Sequence, residues 1–445
     1  MACSSLWWHL WGQVMLRYER YRPSGLDWLE DVPSHWQVVA NRALFRERQE
    51  AGEDGLPVLS VSLHTGVSDD EQDEEENART KTRMADRTSY KRVRPGDVAY
   101  NMMRAWQGAI GAVRTDGLVS PAYVVAAPTA ALNPAFFEYL YRTDWLIGEM
   151  NRASKGITDF RKRLYWQEFK QLLTLVPPRE EQDRIVAFID KKASDIEASI
   201  AKKRRLIDLL QEQKTILINQ AVTFGVSNHK DMQGCDIPGF GSIPAGWNIR
   251  KLKHVCAYQE GPGIMAADFR EEGVPLIRIA GVKGHRVTLD GCNFLSRQKV
   301  SRRWAHFRLD RGDLLISGSA SSGTVAEVVD EGIGAIAYTG LFRITLLQSQ
   351  ITKQFAKLYF SAAAFNDQMN VFKTGVGLQH FGPSHLARAW IALPSLGEQE
   401  KITGFVEERV LCIEDTIAAT KLVIEKLIEA KLNLIAAVVT GRVGF

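Results

Sequence analysis

The chain has 445 residues, too many for one hydrophobic core of ordinary size, so two or more domains are expected. Apolar residues make up 45% and charged residues 24%, an ordinary globular composition, and no apolar run reaches the roughly 18 residues of a membrane helix. The net charge of +4 is compatible with nucleic-acid binding without arguing for it, and the five scattered cysteines exclude a disulfide framework or a zinc site and suit a reducing cytoplasm.

In chain order, residues 1–14 are Trp-rich and atypical, without the basic start of a signal peptide, and Met15 is expected to be the true start. A first globular region covers 15–176, with strand-like runs at 56–61, 97–101 and 122–126 and a helical stretch at 134–151. Its acidic run, 69–76, reads as a solvated loop. A helical spacer follows at 177–226. A Gly/Pro-rich linker then leads into a second globular region, the two together covering 227–393, with strands at 276–279, 313–317 and 342–346 and a helix at 352–371. A second spacer fills 394–445. The fold class is α/β (or α+β), with a twisted sheet in each globular half.

The chain repeats itself. Residues 177–226 align with 394–443 without a gap at an offset of 217, and eighteen of the fifty pairs are identical, among them Glu181/Glu398, Gln182/Gln399, Ile185/Ile402, Phe188/Phe405, Leu210/Leu427 and Thr223/Thr440. The repeat extends more weakly outward: VPSHW (32–36) matches IPAGW (243–247), RPGDVAYNMM (94–103) resembles DRGDLLISGS (310–319), and Lys155-Gly156-Ile157 resembles Thr374-Gly375-Val376. A duplication followed by separate tuning of the two globular halves accounts for this pattern.

Apolar residues recur in each spacer at three- and four-residue steps: Ile196, Ile200, Ile207, Leu210, Leu217 and Ala221 in the first, Ile413, Ile417, Ile424, Leu427, Leu434 and Val438 in the second. These are heptad-like seams, interrupted by Lys203 and Lys214 in one copy and by Thr420 and Lys431 in the other. A lone helix of some 45 residues, about 65 Å at 1.5 Å per residue, is not stable by itself, so the two are expected to pack antiparallel as a coiled-coil spacer. The basic cluster Lys202–Arg205 reads as a solvated or partner-facing stripe.

Catalytic motifs fail when sought. Asn133-Pro134-Ala135-Phe136 faintly echoes an adenine-N6 methyltransferase motif, but its third residue differs and no Gly-rich cofactor loop precedes it; a helix start is the better reading. There is no G-x-x-x-x-G-K-[ST] loop and no G-x-S-x-G elbow, and His285, His306 and His380 lack ligand-like neighbours.

The segments SGLDWLEDVPSHW and PGFGSIPAGW resemble the beginnings of target-recognition domains. VPPREEQDRI and LPSLGEQEKI resemble the start of the helices of Type I restriction-modification specificity subunits, and AVTFGV and AVVTGRV resemble their ends. The resemblance covers essentially residues 15–445 and is carried by two copies in one order and spacing. It implies two pseudo-symmetric recognition domains joined by antiparallel helices, each reading one half of a split, non-palindromic DNA site. It also implies a chain without catalysis of its own. Two methyltransferase subunits carrying S-adenosylmethionine, and two restriction-translocase subunits using ATP and Mg, are the partners it implies.

Base reading calls for long donors and acceptors, phosphate contact for Lys, Arg and hydroxyls. Two loops per half fit. The first holds Arg104 and Gln107, with Trp106 between them open to two readings, a stacking or wedge residue and, the commoner case, buried structure; it is matched by Ser317 and Ser319. The second holds Lys155, Thr158, Arg161, Lys162 and Arg163, matched by Lys373, Gln379 and His380. Three alternatives stay open on the residues alone: the specificity subunit of a Type II-like or orphan methylation system, a non-DNA coiled-coil scaffold, and a stand-alone methyltransferase.

Overall fold

In the computed structural model the residues described are 17–63, 65–68, 87–156, 162–227, 231–318, 324–347, 349–372 and 381–444. The N-terminal extension, Met15 and the acidic run lie outside them. The chain forms two compact units. The first takes the residues up to Lys203 together with those from Leu422 onward; the second is Arg204–Lys421. The division falls inside both long helices, Arg179–Phe224 and Leu396–Val439.

The first unit is built on a four-stranded antiparallel sheet in the order Phe45–Glu47, Tyr123–Pro128, Val98–Asn101, Ile110–Ala112. Val98, Tyr100, Val124 and Ala126 alternate toward one face of it, where they meet Phe136, Phe137 and Tyr141. Residues 134–151, expected as one helix, form two: Pro134–Tyr141 and Asp144–Ala153. The break is a capping event. Thr143 turns extended, and its hydroxyl accepts from the Leu146 amide while donating to the Leu140 carbonyl at 2.7 Å.

The second unit repeats the plan with the sheet Cys256–Glu260, Leu341–Leu346, Leu314–Ser317, Val325–Glu327. Its helical stretch is likewise divided, into Lys353–Ser361 and Ala363–Phe372. A further sheet, in the order Phe269–Arg270, Asn293–Leu295, Val274–Ile277, Ile336–Ala337, has its own small core around Trp304.

The Gly-Asp pair seen twice in the sequence is one turn made twice. In Arg94–Asp97 the Asp97 amide donates to the Arg94 carbonyl (3.0 Å), with proline second and Gly96 at φ +99° third. In Asp310–Asp313 the same bond measures 3.2 Å and Gly312 sits at φ +89°. Both aspartates are buried and bond back to the first amide of their turn at 2.9 Å. Asp97 also takes a two-pronged contact from Arg48, and Asp313 accepts from the Thr345 hydroxyl at 2.7 Å.

The Glu-Gln pair at the head of each long helix has a structural job. Gln182 is buried; its amide donates to the Pro177 carbonyl and its carbonyl accepts from the Asn133 amide, both at 2.8 Å. Gln399 donates to the Pro394 (3.1 Å) and Gln350 (3.0 Å) carbonyls and accepts from the Thr352 amide (2.8 Å). Asn133 and Thr352 are the N-caps of the shorter helices, so each glutamine pins the start of a long helix to the start of a short one.

The seam residues hold the heptad register. Every position from Ile196 to Ala221 and from Ile413 to Val438 named as seam is buried or half-buried, while most of their neighbours are exposed. Within each unit the helix pieces run antiparallel. In the first, Ile185 and Ile189 share a core with Leu434, Val438 and Val439, and Glu197 pairs with Lys431 at 2.7 Å. In the second, Ile402 and Val406 share a core with Ile218, Ala221 and Val222, and Lys214 pairs with Glu414 at 2.5 Å. At the offset of 217, Lys214 corresponds to Lys431 and Glu197 to Glu414. The same ion pair therefore occurs twice, with the copies exchanging roles.

Candidate nucleic-acid interface

Strand Val98–Asn101 in the first unit runs out into a tight loop. The Asn101 side chain accepts from the Met103 amide (2.9 Å), and the Arg104 carbonyl accepts from the Gln107 (2.9 Å) and Ala109 (3.1 Å) amides. Gly108, at φ +101°, lets the chain return toward the sheet. With Ala105 buried as the anchor, Gln107 and Met103 are exposed and Arg104 and Trp106 half-buried.

The second candidate loop is pinched at its base, where Lys155 and Arg163 exchange backbone hydrogen bonds of 2.9 Å each way. The Leu164 amide then donates to the Met102 carbonyl (2.9 Å), tying this loop to the first. Lys162 bonds the Asn151 side chain at 2.9 Å and sits 5.4 Å from the centroid of the Trp106 ring, a cation over an aromatic face. Arg104, Trp106, Gln107, Lys162 and Arg163 thus come from two loops joined at their bases. Lys155 is exposed but ion-paired with Glu168. Thr158 and Arg161 lie outside the described residues.

Other arginines of this unit are committed internally. Arg48 and Arg94 are held by Asp97 and Glu50. Arg92 bonds Glu53 and Asp116, and its guanidinium holds the Asp116 carboxyl below the usual range. Arg163, by contrast, is exposed with no carboxylate partner among the described residues.

The second unit ties its loops the same way: the Phe381 amide donates to the Gly318 carbonyl at 2.9 Å, and the Gly318 amide donates to the Gly340 carbonyl at 2.7 Å. A Cβ on Gly318 would lie 2.8 Å from the Phe342 ring, which stacks on Phe381 at 5.3 Å, so the crossing has room only for glycine. Ser317, expected to reach DNA, is only 6% exposed: it closes a strand buried along its whole length. Ser319, Lys373, Gln379 and His380 lie outside the described residues.

Sequence reasoning missed Arg278. Its guanidinium lies 4.4 Å from the centroid of the Tyr338 ring and bonds the Asn293 side chain at 2.9 Å. Three residues from three strand ends meet there, and no local pattern announces it. Asn133, of the faint methyltransferase echo, is a helix cap: its side chain accepts from the Ala135 amide at 3.0 Å. Among the described residues no cluster of metal-ligating side chains occurs and no helix is long and apolar enough to cross a membrane.

Comparison with known proteins agrees with this geometry. Residues 244–425 match the Type I restriction modification DNA specificity domain. The chain is 25% identical over 282 residues to the MjaVIII Type I restriction enzyme specificity subunit of Methanocaldococcus jannaschii, and 20% identical over 254 residues to the EcoBI specificity subunit of Escherichia coli. Those alignments cover 62% and 56% of this chain, and 63% and 53% of the relatives, so the match spans under two thirds of either. Two solved structures share the fold over 92% of the chain. One, from a study of type I R-M complex assembly and conformational transition, has a TM-score of 0.65 at 17% identity and is covered over 99% of its length. The other, the HsdS subunit of Thermoanaerobacter tengcongensis, has a TM-score of 0.52 at 19% identity and is covered over 98%. The matched domain, the curated relatives and the shared fold make this chain similar to Type I restriction-modification specificity subunits, with the family domain matched over residues 244–425.

Proposed function

We propose that this chain is the DNA-reading subunit of a Type I restriction-modification complex, each unit reading one half of a bipartite target. The observation that carries the reading is the repeated loop crossing, Leu164 to Met102 in one unit and Phe381 to Gly318 in the other. One scaffold thus presents two loop pairs, and their side chains differ. In the first unit those side chains are a long amide, arginines, a lysine and a tryptophan, the types that read base edges and grip phosphates. Unlike loops imply unlike half-sites.

The long helices join the two readers along the chain and set the non-specific gap between half-sites, about one DNA turn centre to centre. Methylation of adenine N6 and cleavage belong to partners: two methyltransferase subunits with S-adenosylmethionine, and two translocase-nuclease subunits with ATP and Mg. This chain contributes recognition and no chemistry.

The test is co-expression with the neighbouring methyltransferase gene in a methylation-free host, with N6-methyladenine mapped by single-molecule sequencing. A split motif with two unlike halves and a fixed gap is expected. A continuous palindrome would overturn the two-reader scheme, and no methylation by a verified complex would favour a protein scaffold.

A further inference from the structure

A basic surface in the second unit lies outside both candidate loops. Ser296 caps a short helix, Arg297–Lys299, which runs into a single π-turn, Val300–Trp304. Val300 and Trp304, four apart, bury together among Ile264, Val274, Leu276 and Leu295. That fixes which side chains face out. Arg297, Arg302 and Arg303 are all exposed, whereas Lys299 is turned to Asp268 and so neutralised. None of the three arginines has a carboxylate partner among the described residues, and Arg303 lies 6.0 Å from the centroid of the Trp304 ring, which steadies its base.

We infer that Arg297, Arg302 and Arg303 form a sequence-independent clamp on the DNA phosphate backbone beside the half-site that the second unit reads. This rests on the DNA-reading function proposed above. The argument is charge and composition together. Three uncompensated guanidinium forks suit phosphate oxygens, which they can bond two at a time. The exposed residues between them along the chain, Gln298 and Ser301, are polar, which suits a wet phosphate contact. The anchoring turn is rigid, with Trp304 only 7% exposed, and a rigid cationic turn fixes register on a duplex without reading bases.

The experiment measures affinity of the full chain for a random-sequence duplex across a salt series. Each phosphate contact contributes about 0.9 to the slope of log affinity on log salt, so Arg302→Ala/Arg303→Ala should lower its magnitude by about 1.8 and addition of Arg297→Ala by about 2.7. Arg302→Lys/Arg303→Lys, which keeps the charge, should retain most of the slope and shows that the turn still folds. Arg204→Ala/Arg205→Ala, an equal loss of charge on the long helix, should leave it unchanged. A wild-type slope in the alanine variant, or an equal fall in the helix control, overturns the clamp while leaving DNA reading intact. Salt-independent or absent DNA binding by the wild-type chain overturns the DNA-reading function itself.

Discussion

Replacing Gln399 by alanine tests whether the Glu-Gln pair is a structural pin. The side chain is fully buried and makes three bonds of 2.8–3.1 Å, so its loss strands the Thr352 amide and the Gln350 and Pro394 carbonyls. A typical buried hydrogen bond contributes about 1 kcal/mol net, and leaving its partner unsatisfied costs at least that, so Gln399→Ala should destabilise the junction by about 3 kcal/mol. Gln182→Ala, with two such bonds, should cost about 2 kcal/mol. Amide hydrogen exchange followed by mass spectrometry reads each junction in its own peptide, which avoids treating a two-unit chain as two-state. At about 1.4 kcal/mol per tenfold, exchange around Thr352 should accelerate roughly a hundredfold in Gln399→Ala, and more than exchange around Asn133 does in Gln182→Ala. An acceleration below about threefold, the scale of an ordinary surface substitution, or the reverse order of the two variants, would refute the pin.

Burial pushes the Cys256 thiol up to about 12, while Cys412 is exposed on the long helix. A thiol reagent near neutral pH should therefore modify Cys412 quickly and Cys256 only on unfolding, and equal rates by peptide mapping would contradict the buried placement. Arg163→Ala should lower the salt slope of DNA binding by about 0.9 and Lys155→Ala by less, because Glu168 already neutralises Lys155; equal effects would argue against that distinction. Desolvation raises the Glu138 carboxyl above its ordinary value of 4.5 despite the Ala112 amide and two nearby arginines. A raised folded value means that the group's contribution is full at low pH and is lost as pH climbs through that value. The stability of Glu138→Gln relative to wild type should thus rise with pH above 4.5, as read by denaturant midpoints, and a difference that is flat or falls with pH would refute the assignment.

Much of the architecture was legible because its signals are local or periodic. The heptad steps run from Ile196 to Ala221 and again from Ile413 to Val438, and the burial pattern follows them. The Gly-Asp turns announced strands that begin one residue later, at Val98 and Leu314. The helix break at Thr143 was missed because threonine is tolerated inside a helix, and only its hydroxyl bond to the Leu140 carbonyl makes it a cap. The meeting of the candidate loops depends on one backbone bond, Leu164 to Met102, between residues far apart in the chain; backbone bonds leave no trace in side-chain patterns. Ser317 ends the strand that the sequence predicts over 313–317, but burial on both faces of that strand, which turns the residue inward, has no signature in a Ser/Gly-rich stretch. The arginines around Trp304 escaped notice because a π-turn has neither helical nor strand periodicity.

The exchanged ion pairs carry a consequence for how the gene can change. Lys214 meets not the glutamate of its own copy but Glu414, the second copy's version of Glu197, and Lys431 meets Glu197 in return. A charge lost from one copy can therefore be compensated only by a change in the other, so the two helical segments are inherited as partners. The heads carry only scattered matches between the copies. Eighteen identities in fifty pairs along the helices, against scattered matches elsewhere, is the record that this coupling leaves.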